Sequence, residues 1–349
     1  MAEPTDGPIL SGWRMWLAGA RPKTLPAAIV PVLVGTMCAA GIRLGGDGGL
    51  FTYAPNAGVV YPPVDMGALK GIIVWRAVAA MVVALAIQIA TNYANDYSDG
   101  KRGTDDPGQR VGPPRLVGWG LAPPSAVKKA VFISFGVAAV AGLTLAYAVG
   151  WWLILVGLVC FAAGWFYTGG PKPYGYAGLG EIFVFVFFGL VATIGSAFVQ
   201  TETLFPPTLP AVLGTAADVA KGFPLVTIGS AVAVGCFATA LLVINNLRDI
   251  PSDTLSGKRT LAVKIGDKRT RILYCVLILI PFLLVPLFCG LGNRPLGAAS
   301  LFALVFANKP ILRVIQGATG RDLIPVLGET GRVQLIFGVL LAAGLFASA

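Results

Sequence analysis

Two groups of asparagine and aspartate residues stand at the ends of long apolar segments. They occupy residues 92–106 (NYANDYSDGKRGTDD) and residues 245–253 (NNLRDIPSD). In both groups an asparagine precedes an aspartate by four positions, as Asn95 precedes Asp99 and Asn245 precedes Asp249. On a helix, side chains with this spacing share one face. The tripeptide Gly-Lys-Arg follows each of these Asn–Asp pairs, at residues 100–102 and 257–259, so the sequence predicts two carboxylate clusters that act together with nearby cations.

Carboxylates that are close together and partly buried repel one another, and a bound cation is the usual solution. The chain has no histidine, which excludes an imidazole base and His-ligated haem or zinc. Its five cysteines all fall inside apolar segments and are interpreted as packing residues. Ligands that are all oxygen select a hard metal, Mg²⁺ or Ca²⁺. Two such clusters with loop cations predict a diphosphate-binding site.

The elements that must position these groups are apolar segments. Hydrophobic residues make up 56% of the 349 positions and charged residues only 12%, whereas a soluble domain carries roughly twice that charge. Segments of about 18 or more apolar residues can cross a hydrocarbon core of about 30 Å. The sequence therefore predicts an all-α polytopic membrane protein, a single domain over residues 1–349 with nine transmembrane helices. They are residues 25–42, 72–93, 131–149, 151–167, 182–199, 224–247, 272–289, 296–315 and 333–349.

The positive charge is distributed unequally between the two sides of this arrangement. The N-terminal tail and alternate connections hold 21 of the 26 lysines and arginines. Because positive loops stay in the cytoplasm, we expect a cytoplasmic N-terminus and an outside C-terminus, and no nucleic-acid partner. Residues 1–24 are then an interfacial lead-in, in which Arg21 or Lys23 either anchors the chain or binds an anion. Residues 94–125 and 248–271 are predicted cytoplasmic catalytic loops.

Glycine and proline set further local expectations. Segments three and four join at Gly150 in a tight hairpin. Pro251 predicts a kink or a helix end near Asp249. The turn at residues 167–176 holds three tyrosines and Lys172, which either line a pocket or form an aromatic belt at the membrane surface.

These motifs resemble those of a known family. The patterns Asn95-xxx-Asp99-xxxxx-Asp105 and Asn245-xxx-Asp249-xxx-Asp253 resemble the two aspartate-rich motifs of the UbiA superfamily of intramembrane aromatic prenyltransferases, and the resemblance spans essentially the whole chain. Residues 20–25 (ARPKTL), 167–170 (YTGG) and 258–262 (KRTLA) are similar to the menaquinone branch, which prenylates 1,4-dihydroxy-2-naphthoate.

The resemblance implies transfer of a polyprenyl group from polyprenyl diphosphate to 1,4-dihydroxy-2-naphthoate, with loss of CO₂ and pyrophosphate, to give demethylmenaquinol. It also implies Mg²⁺, expected as two ions, and an active site on the cytoplasmic side of a bacterial plasma membrane. Alternatives are another aromatic acceptor, a cation-coupled transporter and a phosphatidyltransferase. A transporter would place its acids at mid-span. Prenyl chain length and oligomeric state leave no signature in the sequence.

The site residues implied by the resemblance fall into three sets. The expected metal ligands are Asp96, Asp99, Asp105, Asp249 and Asp253. Substrate-orienting or diphosphate-binding residues are Asn92, Asn95, Lys101, Arg102, Arg115, Asn245, Arg248, Lys258 and Arg259. The residues expected to face the aromatic acid are Tyr167, Lys172 and Tyr174, which join Asp99 and Asp249 as the catalytic set.

One position departs from the commonest superfamily motif, because Gly103 stands where an aspartate is usual. Asp105 or Asp106 must then replace it, and Pro107 restricts Asp106 to extended conformations. We predict that Asp105→Ala is nearly inactive at saturating Mg²⁺. Asp106→Ala should change little, within about 0.5 kcal/mol, as for a surface residue. The reverse order of activities, in equally folded proteins, would assign the ligand to Asp106.

Overall fold

The computed structural model describes residues 12–42, 53–54, 58–59, 70–104, 114–203 and 215–349, with only the backbone described for 215–221. Asp105 and Asp106 lie outside these residues, so the metal-ligand prediction at that position stays a prediction. The described chain is helical apart from the antiparallel strands β1 (Tyr53–Ala54) and β2 (Gly58–Val59). The predicted all-α class is therefore confirmed for the membrane-embedded part.

The described chain forms ten main helices. They are α1 (Trp13–Ala20), α2 (Pro26–Cys38), α3 (Val74–Lys101), α4 (Pro124–Val149), α5 (Leu153–Phe166), α6 (Gly180–Thr201), α7 (Thr215–Leu255), α8 (Leu261–Leu291), α9 (Pro295–Ile315) and α10 (Gly320–Ala347). Seven of them, α3, α4 and α6 to α10, are long and apolar enough to cross a membrane. The shorter apolar helices α2 and α5 coincide with the first and fourth predicted segments.

Both aspartate-rich motifs lie on helices that continue past their apolar runs. Helix α3 extends to Lys101. Helix α7 extends through Pro251 to Leu255, so the expected helix end near Asp249 is wrong. Backbone bonds close the last turn, because the Ser256 N–H donates to the Ser252 carbonyl at 3.0 Å and the Lys258 N–H to the Asp253 carbonyl at 2.8 Å. These bonds satisfy carbonyls that a helix end leaves without partners.

Helix α7 is the centre of the bundle. In its most apolar stretch 78% of residues are buried, against 22–56% for the other six long helices. Phe237 on α7 packs against Phe282 of α8 and Phe337 of α10, with ring centroids 5.8 and 4.9 Å away. The predicted hairpin at Gly150 is confirmed, because α4 ends at Val149 and α5 begins at Leu153.

Two cations hold the end of the bundle at which α2 and α10 finish. Arg294 is 1% exposed and donates to the carbonyls of Ala40 and Leu345. The Lys70 ammonium donates to the carbonyl of Phe346 at 2.7 Å. Because the last carbonyls of a helix have no partner within it, these bonds fix both helix ends in place.

Helix α6 contains a feature that the sequence analysis did not predict. Residues Phe185–Val191 form a π-helical stretch, and Gly189 within it crosses Gly235 of α7 at close range. A Cβ atom at Gly189 would lie 2.5 Å from the Gly235 Cα. Only glycine permits this approach of the two backbones.

This crossing gives a stability prediction. Gly189→Ala should destabilise the protein by about 1–3 kcal/mol, because overpacking forces backbone shifts. The control is Gly195→Ala on the same helix, where an added Cβ meets nothing within 4 Å. That change should be neutral or slightly stabilising, because alanine favours helix over glycine. Equal unfolding midpoints for the two variants in detergent would contradict the close crossing.

Candidate active site

Both motifs line a single cavity of about 610 Å³. Helices α3 and α7 supply its acids and amides, and the α1–α2 connection supplies Arg21 and Lys23. The predicted site residues in its lining are Asn92, Asn95, Asp99, Arg115, Tyr167, Asn245, Arg248, Asp249, Asp253 and Lys258. The structure thus brings together residues from the two clusters that the sequence separates by about 150 positions.

Asp99 is the point at which the two motifs meet. Its Oδ2 lies 3.1 Å from the Lys258 ammonium, and its Oδ1 accepts a 2.7 Å hydrogen bond from the Tyr176 hydroxyl. Asp99 and Lys258 are both buried. The Lys258 nitrogen also lies 4.8 Å from the centre of the Tyr176 ring. Burial and the neighbouring Asp99 raise the pKa of Tyr176, so its hydroxyl remains a donor at neutral pH.

The second motif carries a bidentate ion pair. The Arg248 guanidinium donates to both Asp249 carboxylate oxygens at 2.7 Å. One turn further along α7, the Asp253 carboxylate lies 3.4 Å from the Thr260 hydroxyl. Because α7 remains helical, Asn245, Asp249 and Asp253 form one stripe along the cavity wall, as their spacing predicts.

The asparagines of the first motif tie α3 to its neighbours. The Asn92 amide donates to the Ala20 carbonyl at 2.9 Å. The Asn95 amide oxygen accepts a 2.9 Å bond from the Thr168 hydroxyl. These contacts hold both the α1–α2 connection and the turn after α5 against the cavity.

Asp96 has a different environment from Asp99, Asp249 and Asp253, the other predicted metal ligands that the structure describes. It is 1% exposed and does not line the cavity. Its two carboxylate oxygens accept backbone N–H bonds from Leu116 and Val117, both at 3.1 Å. Asp96 therefore fixes the turn that places the buried Arg115 in the cavity wall.

The remaining predicted residues that the structure describes lie outside the lining of this cavity. Lys101 stacks on Tyr97, and Arg102 donates to the carbonyls of Thr168 and Gly170. The Tyr174 hydroxyl donates to the Ala163 carbonyl at 2.7 Å. The four predicted cations in this group are all exposed residues, namely Lys101, Arg102, Lys172 and Arg259.

The donors in the cavity suit a hard cation. Its lining includes three aspartates together with asparagine amides, and no histidine or cysteine. Among the residues that the structure describes, no three acidic, His or Cys side chains are grouped closely enough to hold a metal alone. Mg²⁺ typically uses one or two carboxylates and completes its shell with water and substrate phosphate. This donor set therefore fits Mg²⁺ that binds together with a phosphorylated ligand.

An apolar cavity of about 330 Å³ adjoins the polar one. The two cavities share Thr91, Val184 and Phe188 in their linings. The rest of the second cavity is formed largely by aliphatic and aromatic side chains of α3 to α6. A ligand with a charged head and a hydrocarbon tail matches this pair of cavities.

Sequence reasoning missed several residues of the site. Tyr176 and Asn246 both line the cavity, and Asn246 bonds the buried Glu181. The signal available in the sequence was the position of Asn246 beside Asn245, and of Glu181 directly after the tyrosine-rich turn. The Tyr176 contact with Asp99 has no local signal, because 77 positions separate the two residues.

The fold and the cavity together define a polytopic helical membrane protein with an acidic, cation-lined site beside an apolar chamber. Residues 66–323 match the UbiA prenyltransferase family. The chain is 41% identical over 336 residues to the 1,4-dihydroxy-2-naphthoate octaprenyltransferase of Mycobacterium tuberculosis, covering 96% of this chain and 98% of that protein. It is 34% identical to the enzyme of the same name from Escherichia coli, covering 97% of each. This chain belongs to the UbiA prenyltransferase family.

A solved structure shows the same fold. A UbiA homologue from Archaeoglobus fulgidus, bound to DMAPP and Mg²⁺, superposes with a TM-score of 0.58 at 14% identity, covering 96% of this chain and all of that one. This likeness supports the helical architecture described above.

The buried ion pair gives a prediction about the two lysines that follow the motifs. Lys258→Ala should lower kcat/KM about 10²–10³-fold, as when a preorganised donor to developing charge is removed. Lys101→Ala is the matched control, because Lys101 is exposed and its ammonium lies over the Tyr97 ring, 5.6 Å from the ring centroid. It should keep most of the activity. Equal losses in steady-state assays would contradict the separate roles of the two lysines.

Proposed function

We propose that this protein transfers a polyprenyl group from polyprenyl diphosphate to 1,4-dihydroxy-2-naphthoate, releasing pyrophosphate and CO₂ and forming demethylmenaquinol. The observation that carries the proposal is the single cavity in which both aspartate motifs meet beside an apolar chamber. The names of relatives that cover nearly the whole chain support the choice of acceptor. Octaprenyl is the donor tail in those names, and the tail length used by this chain is left open.

The metal assignments follow the lining of the cavity. We propose that Asp99, Asp249 and Asp253 hold Mg²⁺, as two ions, with Asp105 as a further ligand from outside the described residues. When bound, Mg²⁺ neutralises diphosphate oxygens and stabilises the pyrophosphate leaving group. Asp96 is proposed as a positioning residue for Arg115, because backbone N–H groups occupy both of its oxygens.

The cations of the cavity serve the diphosphate. Lys258, Arg248 and Arg115 line the cavity with the acids and can donate charge-assisted hydrogen bonds to phosphate oxygens. Arg21 and Lys23, which also line it, supply further positive charge and favour the anion-binding alternative for the lead-in. Arg102 and Arg259 remain predictions as diphosphate ligands, and their side chains would have to turn inward, whereas the exposed Lys101 is proposed not to bind the diphosphate.

The apolar chamber holds the hydrocarbon tail and limits access of water to the reacting carbon. As pyrophosphate leaves, the first carbon of the tail gains allylic cation character. The electron-rich naphthoate ring attacks it and then loses its carboxyl group as CO₂. This sequence needs no strong base, which suits a chain without histidine. Tyr167 lines the cavity and is assigned to the aromatic acid, while the roles of Lys172 and Tyr174 stay predictions.

The membrane arrangement is also a proposal. Nine crossings require α2 and α5 to span with their flanking residues, because helices of 13 and 14 residues are each about 20 Å long. The surplus of positive charge beside the motifs supports a cytoplasmic active site. Bacterial relatives support a plasma-membrane location.

Product analysis tests the function. Membranes that contain the protein should convert 1,4-dihydroxy-2-naphthoate, a polyprenyl diphosphate and Mg²⁺ to demethylmenaquinol. EDTA should abolish the reaction, Mg²⁺ should restore it, and Zn²⁺ should restore it poorly, because all predicted ligands are oxygen. Cation-dependent transport without product would favour the transporter, and full activity after exhaustive chelation would exclude the metal proposal.

Substitution of two aspartates, one at a time, distinguishes a role in metal binding from a role in ion pairing alone. Asp249 and Asp267 each accept two hydrogen bonds from one arginine, Arg248 and Arg271 respectively. Only Asp249 lines the cavity. Asp249→Asn should be nearly inactive in the product assay, and Asp267→Asn should keep most of its rate. Similar activities for the two variants would remove Asp249 from the metal site.

A further inference from the structure

Glu181 is a buried acid that the proposed mechanism does not use. It is the second residue of α6 and is 6% exposed. No lysine or arginine among the described residues forms an ion pair with it, and its Oε2 atom is buried without a hydrogen-bond partner. Burying a carboxyl group without a paired cation costs free energy. The position of Glu181 beside the cavity therefore indicates a role for this side chain.

The one side chain that Glu181 bonds faces the cavity. The Asn246 amide nitrogen donates to Glu181 Oε1 at 2.8 Å, and Asn246 lines the cavity wall. This bond turns the nitrogen of the amide toward Glu181. The other polar atom of the amide, Oδ1, accepts no hydrogen bond from any residue in the described part of the chain. A carboxylate only accepts hydrogen bonds, so Glu181 selects the amide orientation that leaves the oxygen of Asn246 for a ligand.

Tyr167 completes this corner of the cavity. An added Cβ at Gly180, the residue before Glu181, would lie 3.4 Å from the Tyr167 hydroxyl oxygen. Burial, and next the charge of Glu181, raise the pKa of Tyr167 well above its ordinary value, so the hydroxyl keeps its proton. The aliphatic side chains of Val184 and Leu242 line the cavity nearby. The corner therefore combines an apolar wall, a hydroxyl donor and an amide acceptor.

The atoms of this corner suit a ring hydroxyl of a dihydroxy aromatic acid better than they suit its carboxylate. An amide oxygen backed by a carboxyl group accepts a hydrogen bond from a phenolic hydroxyl. It repels a carboxylate or a diphosphate, since neither has a proton to donate. The cations that would hold those anions are Lys258 and Arg248, which pair with Asp99 and Asp249 and not with Glu181.

We infer that Glu181 is a positioning residue for the aromatic acceptor, which fixes the Asn246 amide so that its oxygen binds a ring hydroxyl of the acceptor. This inference rests on the proposed function, because it assigns one subsite of that reaction. Glu181 acts through Asn246 and sets which substituent of the ring enters this corner. The ring face that attacks the prenyl carbon is thereby fixed.

The test variant is Glu181→Gln, which keeps the shape of the side chain. Glutamine can donate to the Asn246 oxygen, so the amide can reverse and present its nitrogen to the cavity. The KM for 1,4-dihydroxy-2-naphthoate should rise about tenfold, the effect of one buried hydrogen bond. Farnesyl diphosphate serves as the donor, and its KM should stay within about twofold of the wild-type value. The variant loses a binding contact to the acceptor only, and such a loss raises the KM of the acceptor alone. Glu181→Asp, which restores the acceptor, should recover part of the loss.

Naphthoate inhibitors identify the group recognised. Inhibition constants are measured for wild type and Glu181→Gln with two sets of compounds. One set is the 1-methoxy and 4-methoxy ethers of the acceptor, and the other is the corresponding monohydroxy acids. The compound that lacks the recognised hydroxyl should bind both proteins equally, and the compounds that keep it should lose affinity about tenfold in the variant. Equal losses for every compound would overturn the inference.

A matched control separates positioning from stability. Glu329 on α10 is a second acid with one buried, unpartnered oxygen, and it lies outside the cavity lining. Glu329→Gln should leave both KM values unchanged, whatever its effect on the unfolding midpoint. If Glu181→Gln changes only the midpoint, or raises the donor KM equally, Glu181 is structural and the inference fails. If wild type forms no demethylmenaquinol, the proposed function fails instead.

Discussion

The site depends on the buried ion pair between Asp99 and Lys258, which stand 159 positions apart. Placing two charges away from water is costly unless their geometry and remaining hydrogen bonds are satisfied. Tyr176 provides that compensation by donating to the second oxygen of Asp99 and by placing its ring beneath the lysine. This three-residue contact joins the end of α3, the turn after α5 and the segment that follows α7.

The other polar contacts extend the same arrangement outward. Asp96 holds the turn that carries Arg115, Asn95 holds Thr168, and Arg102 holds the carbonyls of that same turn. These contacts hold the turns after α3 and after α5 in place beside the cavity. Rigid support of this kind keeps charged groups in productive positions without large reorganisation during the reaction.

The sequence analysis predicted those features that depend on local spacing. Helical periodicity correctly placed Asn245, Asp249 and Asp253 on one stripe, and apolar length located the helices. Of the two outcomes expected at Pro251, a kink or a helix end, the helix end is wrong, because proline removes only one helical hydrogen bond and backbone bonds close the turn beyond it.

Contacts between distant segments carry no comparable local signal. Lys258 and Arg259 are adjacent in sequence and identical in charge, yet one is buried against Asp99 and the other is exposed. The same limit applies to Asp96, whose bonds to the backbone N–H groups of Leu116 and Val117 have no signal in its spacing from the other acids. Only packing between segments that are distant in sequence distinguishes these cases.

The π-helical stretch of α6 separates the two halves of that helix. A π-turn holds one residue more than an α-turn, and each residue rotates the following side chains by about 100°. Glu181, ahead of this stretch, bonds Asn246 in the wall of the polar cavity, whereas Ser196 and Val199, beyond the stretch, line the apolar chamber. Substitutions or small insertions within α6 can reshape the space for the tail while leaving the register of the acceptor corner intact. During evolution, substitutions in the second half of α6 can change the length of the donor tail that fits, and substitutions in the first half can change the acceptor, each without affecting the other.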